Sequence, residues 1–117
     1  MEYLVDGNDI VINNNKISFN NDIEKVEDVG ETLIVLLKDL STGDVQKQPM
    51  NNIVGIDENA NIIWKIADLT NYVEYYSYFL IKNNKESGMI LQVIDCAERV
   101  YRIKLSDPTL IDVEAYK

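Results

Sequence analysis

Asp57, Asn59, Asn61 and Asp68 stand at the first, third, fifth and twelfth places of "DENANIIWKIAD". Oxygen ligands at that spacing hold calcium in helix–loop–helix sites. Two departures argue against it here. The sixth place, where glycine permits the sharp turn, is Ile62. The flanking segments read as strands. A tight hairpin explains the same residues, because Asn and Asp tolerate left-handed backbone and bond their own chain. No metal is expected.

Other chemistry is narrowed by what the chain lacks. It has no histidine, which removes Ser–His, Cys–His and His–metal devices. Its one cysteine, Cys96, lies between Asp95 and Glu98 in "IDCAERV". Nearby carboxylates raise a thiol pKa, the wrong direction for a nucleophile. Cys96 therefore reads as a turn or strand-end residue. The five glycines never cluster, so no phosphate loop forms. Paired carboxylates remain chemically open among the 20 acids. No catalytic residue and no cofactor is expected.

Aromatic residues make the densest feature. Tyr72, Tyr75, Tyr76, Tyr78 and Phe79 fall within eight positions. In a strand, Tyr75 and Phe79 share one face, and Tyr76 and Tyr78 the other. If neighbouring strands cover both faces, the rings are core. If one face is open, tyrosine suits an interface, because the ring buries area while the hydroxyl finds a partner.

The elements that position these residues are short strands. The 117 residues fit a single domain, 1–117, and the 46% apolar content supports a core without staples. Apolar runs alternate with polar corners along the chain. Ile10, Val11 and Ile12 precede a 13–15 corner, with Ile17 and Phe19 after it. "TLIVLLKDLSTGDV" turns at Ser41, Thr42, Gly43 and Asp44. Further corners fall at 57–61, at 83–88 and at the "SDPT" around Pro108. The segments are rich in Ile, Val and Tyr, as strands prefer. In Val100 to Leu105, Tyr101, Ile103 and Leu105 should face a core and Arg102 and Lys104 water. Ile62, Trp64 and Ile66 should do the same. Thr32 to Leu37 is apolar on both faces and reads as a central strand with cover on each side. Strand is expected over 74–82, whereas 67–73 fits either extended chain or one helical turn, capped by Asp68 or Thr70.

The expected architecture is all-β, a single domain of roughly eight to ten short antiparallel strands, barrel-like or a two-layer sandwich. The first hairpin should pair with the strand near 32–38.

"IVGIDENANIIWKI" resembles the inner hairpin of quinoprotein-type propeller blades. "VYRIKLSDPTLID" and "LLKDLSTGDV" resemble it more weakly. A propeller needs several blades of about 40 residues, which this chain is too short to supply, so no cofactor follows. Gly55, Ile56, Asp57, Asn59 and Asn61 to Trp64 also resemble the central hairpin of small acidic cytosolic proteins of Gram-positive bacteria. Some of those look like immunity partners of polymorphic toxins. The abundance of Asn, Ile and Lys agrees with an AT-rich bacterial genome.

Charge points the same way. The net charge is −9, from 20 acids and 11 bases. That balance disfavours nucleic-acid phosphates and anionic lipid, and it speeds encounter with a basic protein. A free thiol, a start without a secretory signal and no apolar run of about 18 residues suggest a cytoplasmic protein. The expected function is non-enzymatic protein binding, as an immunity protein occluding a basic toxin domain. The candidate contacts are Tyr75, Tyr76 and Tyr78, with Asp22, Glu24, Glu27 and Asp28 as rim charges. The alternative is a small ligand-binding or carboxylate-based enzyme domain, which requires two convergent acids in a concave pocket.

Overall fold

A computed structural model describes residues 1–38, 50–86 and 88–115. The chain is all-β, with eleven antiparallel strands in three open sheets and one short helix among those residues. The first sheet holds β1 (Tyr3–Asp6), β2 (Asp9–Ile12) and β3 (Asn15–Ser18). The second holds β4 (Ile23–Asp28), β5 (Leu33–Leu37), β6 (Ile53–Ile56) and β7 (Ile62–Lys65) in sequence order. Helix α1 (Ile66–Thr70) then leads to the third, ordered β11 (Thr109–Ala115), β10 (Arg99–Lys104), β9 (Gly88–Asp95) and β8 (Tyr76–Asn84). The turn residues explain the hairpins. Asn13 and Asn14 both take positive φ, at 50° and 66°, as a two-residue turn between β2 and β3 requires. The corner at 41–44 lies outside the described residues.

The second sheet is the middle layer. Along β5, Ile34 and Leu36 join one buried cluster with Tyr76, Phe79, Leu91, Val93, Tyr101 and Ile103 of the third sheet. Leu33 and Val35 turn the other way, onto Ile10 and Ile12 of the first sheet. A strand covered on both faces must be apolar at every position, which is why "LIVLL" shows no alternation. Each such side chain contributes about 1.5–3 kcal/mol by leaving water. The expected central strand is therefore borne out. The expected pairing of the first hairpin with it is not: β2 stacks on the face of β5 through Ile10 and Ile12 and pairs only with β1 and β3. The open edges also replace a closed barrel.

Single-residue bulges redirect several side chains. Gly55 pairs with Trp64 and Ile56 with Ile62, so Ile63 is an extra residue. The shift puts Trp64 in the core, whereas Ile62, expected beside it there, is 41% exposed. Gly55 is glycine for space: a β-carbon there would sit inside the Trp64 indole, which lies across it. In β10 the expected alternation holds, with Tyr101 and Ile103 fully buried and Arg102 and Lys104 partly exposed.

Residues 66–70 form the helical turn left open by the sequence. Its start is closed by Asp68, whose Oδ2 accepts the Lys65 amide at 3.0 Å, and by Asn51, whose Oδ1 accepts the Ala67 amide at 2.8 Å. Its end is closed by Asn71 at φ 64°, whose amide donates to the Ala67 carbonyl. Asn52 then fastens the middle sheet to β8. Buried at 1% exposure, it donates to the Leu37 and Tyr76 carbonyls and accepts the Tyr76 amide at 2.8 Å.

Candidate functional site: the paired β4 and β8 edges

β4 and β8 end their sheets on the same side of the stack, and Lys25 joins them. Lys25 pairs with Leu36, and Glu27 with Ile34, so both project toward the third sheet. Lys25 Nζ donates to the Phe79 carbonyl at 2.8 Å. It lies 4.3 Å from the Phe79 ring centroid and 5.4 Å from that of Tyr78, and 3.7 Å from the Glu27 carboxylate. A cation over aromatic faces adds about 0.5–1 kcal/mol at such a site. Glu24 is the extra residue of a bulge between Ile23 and Lys25 and is exposed, as is Asp22.

A bulge at Ser77 decides where the tyrosines go. Tyr76 pairs with Asp95 and Tyr78 with Ile94, leaving Ser77 unmatched. Tyr76 and Phe79 therefore both turn inward, and Tyr78 outward at 45% exposure. This corrects the expected sharing of faces. It also removes Tyr76 from the candidate contacts, since its ring is fully buried and its hydroxyl is taken by Thr70 Oγ1 at 2.8 Å. Tyr75 is half-buried, and its carbonyl accepts the Cys96 amide.

The rim acids separate likewise. Glu27 stays beside Lys25 on the β4 edge and Glu24 is exposed at the bulge, whereas the Asp22 carboxylate lies against Gly7 in the β1–β2 turn. Asp28 turns to the first-sheet side, pairing with Leu33 across the strand. Its carboxylate accepts the Gly30 amide at 2.8 Å and the Met1 ammonium at 3.0 Å. Those two bonds hold its pKa below the ordinary value. Asp28 is thus a partner of its own chain's N-terminus.

A second polar group, which sequence reasoning did not assemble, lies at the β9–β10 corner. Asp95 is 1% exposed. Its Oδ1 accepts the Ala97 and Arg99 amides, and its Oδ2 accepts Arg99 Nε and the Tyr101 hydroxyl, both at 2.7 Å. Arg99 also donates to Glu74 at 3.1 Å and stacks 5.1 Å over Tyr72. Burial alone would raise the Asp95 pKa, but the bonds from Arg99, Tyr101 and Ala97 outweigh it and hold the carboxyl low. Burial, then the Asp95 and Glu74 charges, pushes Tyr76 up to about 12. Two acids thus converge on one arginine, and the Asp95 carboxylate is taken up by four donors. Burial and the neighbouring Glu74 and Asp95 charges raise the Cys96 thiol. The signal in the sequence is Asp95 followed at fixed steps by Arg99 and Tyr101, a pattern that gains meaning only once β9 and β10 pair.

The Asp57 loop is closed by its own chain. Asp57 Oδ1 accepts the Asn59 and Asn61 amides, each at 2.9 Å, and Ala60 takes φ 63°. Asp68 is occupied at the α1 start, so the calcium-like spacing resolves into two local caps. Among the described residues no group of three or more acids and cysteines is placed to hold a metal ion. A broad surface cleft over the first sheet is lined by Met1, Glu2, Leu4 and Val11, with Glu2 its one carboxylate. No helix is long and apolar enough to cross a membrane among the described residues.

Residues 1–104 match the model of a family described as a domain of unknown function (DUF7957), and the chain belongs to that family. No curated protein matches the chain. No solved structure matches it either.

Proposed function

We propose that the chain is a non-enzymatic protein-binding domain of the bacterial cytoplasm, an immunity protein that occludes a basic toxin domain. One observation carries the reading: the exposed Tyr78 ring lies 5.4 Å from Lys25, which bonds the β8 edge and pairs with Glu27 on β4. A preformed aromatic contact loses little conformational freedom on binding, and flanking acids steer a cationic partner toward it. Tyr78 supplies the central contact and Glu24 and Glu27 the rim, with Asp22 farther off beside the β1–β2 turn. Tyr75 lies at its border. The net charge of −9 extends that steering beyond the contact. The exposed free thiol of Cys96 suits a reducing compartment.

The test is co-expression with the protein encoded immediately upstream of this gene. Survival of the host and a co-purifying complex are expected. A toxic neighbour left unrestrained, or one that never co-purifies, overturns the reading.

A further inference from the structure

The third sheet turns one face to the middle layer. Phe79, Leu91, Val93, Tyr101 and Ile103 point into the shared core cluster. Alternation sends their neighbours on β8, β9 and β10 to the opposite face. There Lys82, Ile90 and Lys104 stand in register as one row across the three strands. Leu80, Gln92 and Arg102 form the next row, and Ile94 pairs with Val100 beyond it. An antiparallel sheet face left to water is ordinarily polar. This one carries four aliphatic side chains, Leu80, Ile90, Ile94 and Val100, and none of them belongs to either core cluster. Ile90 and Val100 are shaded by their neighbours on the sheet, while Leu80 and Ile94 stay half-buried.

The charges on this face sort into committed and uncommitted ones. Arg102 donates to Asp112 at 2.7 Å and to Glu114 at 2.8 Å, which holds both acids at the β11 side. Lys82 and Lys104 take no ion-pair partner among the described residues. The turns beyond their row add Lys85, Glu86 and Asp107, so that end of the sheet holds three bases against two acids. On a chain of net charge −9, two unpaired cations flanking a shaded isoleucine are the exception.

We propose that this face is a docking surface for an acidic amphipathic helix of another protein, lying along β9. Helices are what ordinarily cover a sheet face. Strands about 4.8 Å apart place the Lys82 and Lys104 α-carbons about 9.6 Å from each other, close to the diameter of a helix, about 10 Å. From Ile90 to Ile94 the strand runs about 13 Å, the length of about nine helical residues. The apolar stripe of the helix rests on Leu80, Ile90, Ile94 and Val100, and a carboxylate on each flank of one end meets a lysine. The described residues supply no such helix, since α1 has five residues, so the occupant is foreign. The chain's net charge repels an acidic segment at a distance, but salt screens charges beyond about 8–10 Å, and the local lysines decide the contact. The surface is a face of the third sheet and not its β8 edge, so the inference does not depend on what the β4–β8 edges bind.

Two synthetic helical peptides of about 14 residues test it, both with a leucine stripe, one flanked by glutamates and the other by lysines. Titrated into the isotope-labelled full chain and followed by NMR, the glutamate peptide should shift the amides of Leu80, Ile90, Gln92, Ile94 and Lys104 with a Kd below about 300 µM. Read at the same amides, the lysine peptide should bind at least about tenfold more weakly. The double variant Lys82→Glu, Lys104→Glu should reverse that preference. Lys82→Glu alone, at an exposed side chain, should weaken the glutamate peptide at least about threefold and keeps the test open if the double variant fails to fold. No shift with the glutamate peptide at about 1 mM, equal affinity of the two peptides for this face, shifts that fall on β4 instead of β9, or tighter binding here by a single-stranded oligonucleotide or by phosphatidylglycerol vesicles overturns the proposal.

Discussion

Asp95 accepts four hydrogen bonds in a site that excludes water, and Arg99 and Tyr101 depend on it in turn. Removing one partner of a buried charged pair strands the other, which costs far more than the pair contributes. Asp95→Asn keeps the shape but turns a donor toward Arg99 Nε. It should destabilise the fold by about 3 kcal/mol at pH 7, read from urea unfolding by Trp64 fluorescence. The pH dependence follows from the lowered pKa. A carboxylate that is more acidic folded than unfolded stabilises fully above the unfolded value, and that stability disappears as pH falls through the folded value. The gap between wild type and Asp95→Asn should therefore narrow below about pH 4. A gap that stays constant down to pH 2 would mean that Asp95 acts through shape alone.

At the scale of elements, Lys25 does the work of a strand the edges lack. Its ammonium satisfies the outward Phe79 carbonyl and ties the middle sheet to the third. Lys25→Met keeps the apolar stem and loses the charge. It should cost about 1 kcal/mol and speed amide exchange in β4 and β8 while leaving β9 and β10 protected. Unchanged exchange at both edges would show that they hold without the bridge. The elements also show where sequence reasoning reaches. β5 announces itself by being apolar at every position, and the Asn13 turn by its residue types. The short helix at 66–70 was one of two readings, because five residues fit either period. Glu24, Ile63 and Ser77 were out of reach. Each is one extra residue that no local pattern marks, and each shifts the alternation that assigns faces. That is how Tyr76 came to be expected at the surface and Ile62 in the core. Asn52 and Asp95 were missed for a related reason: polar residues read as surface until strands from distant segments close over them.

Over the whole molecule, the β4–β8 and β11 edges differ in character. The β4–β8 side carries acids and one exposed ring, and the β11 side carries neutralised acids and exposed aliphatic residues. The middle sheet packs on each of its faces. The stacking of the first sheet was not legible in the sequence, since the same apolar residues serve pairing and packing alike. The family model covers residues 1–104, which include β4 and β8. The most direct measurement is the affinity of the upstream-encoded protein for wild type and for a Glu24→Lys, Tyr78→Ala double variant at low and at roughly 0.5 M salt. The account predicts at least about a hundredfold loss in the folded double variant, with wild-type binding weakening as salt rises. Equal affinity for the two chains would contradict it.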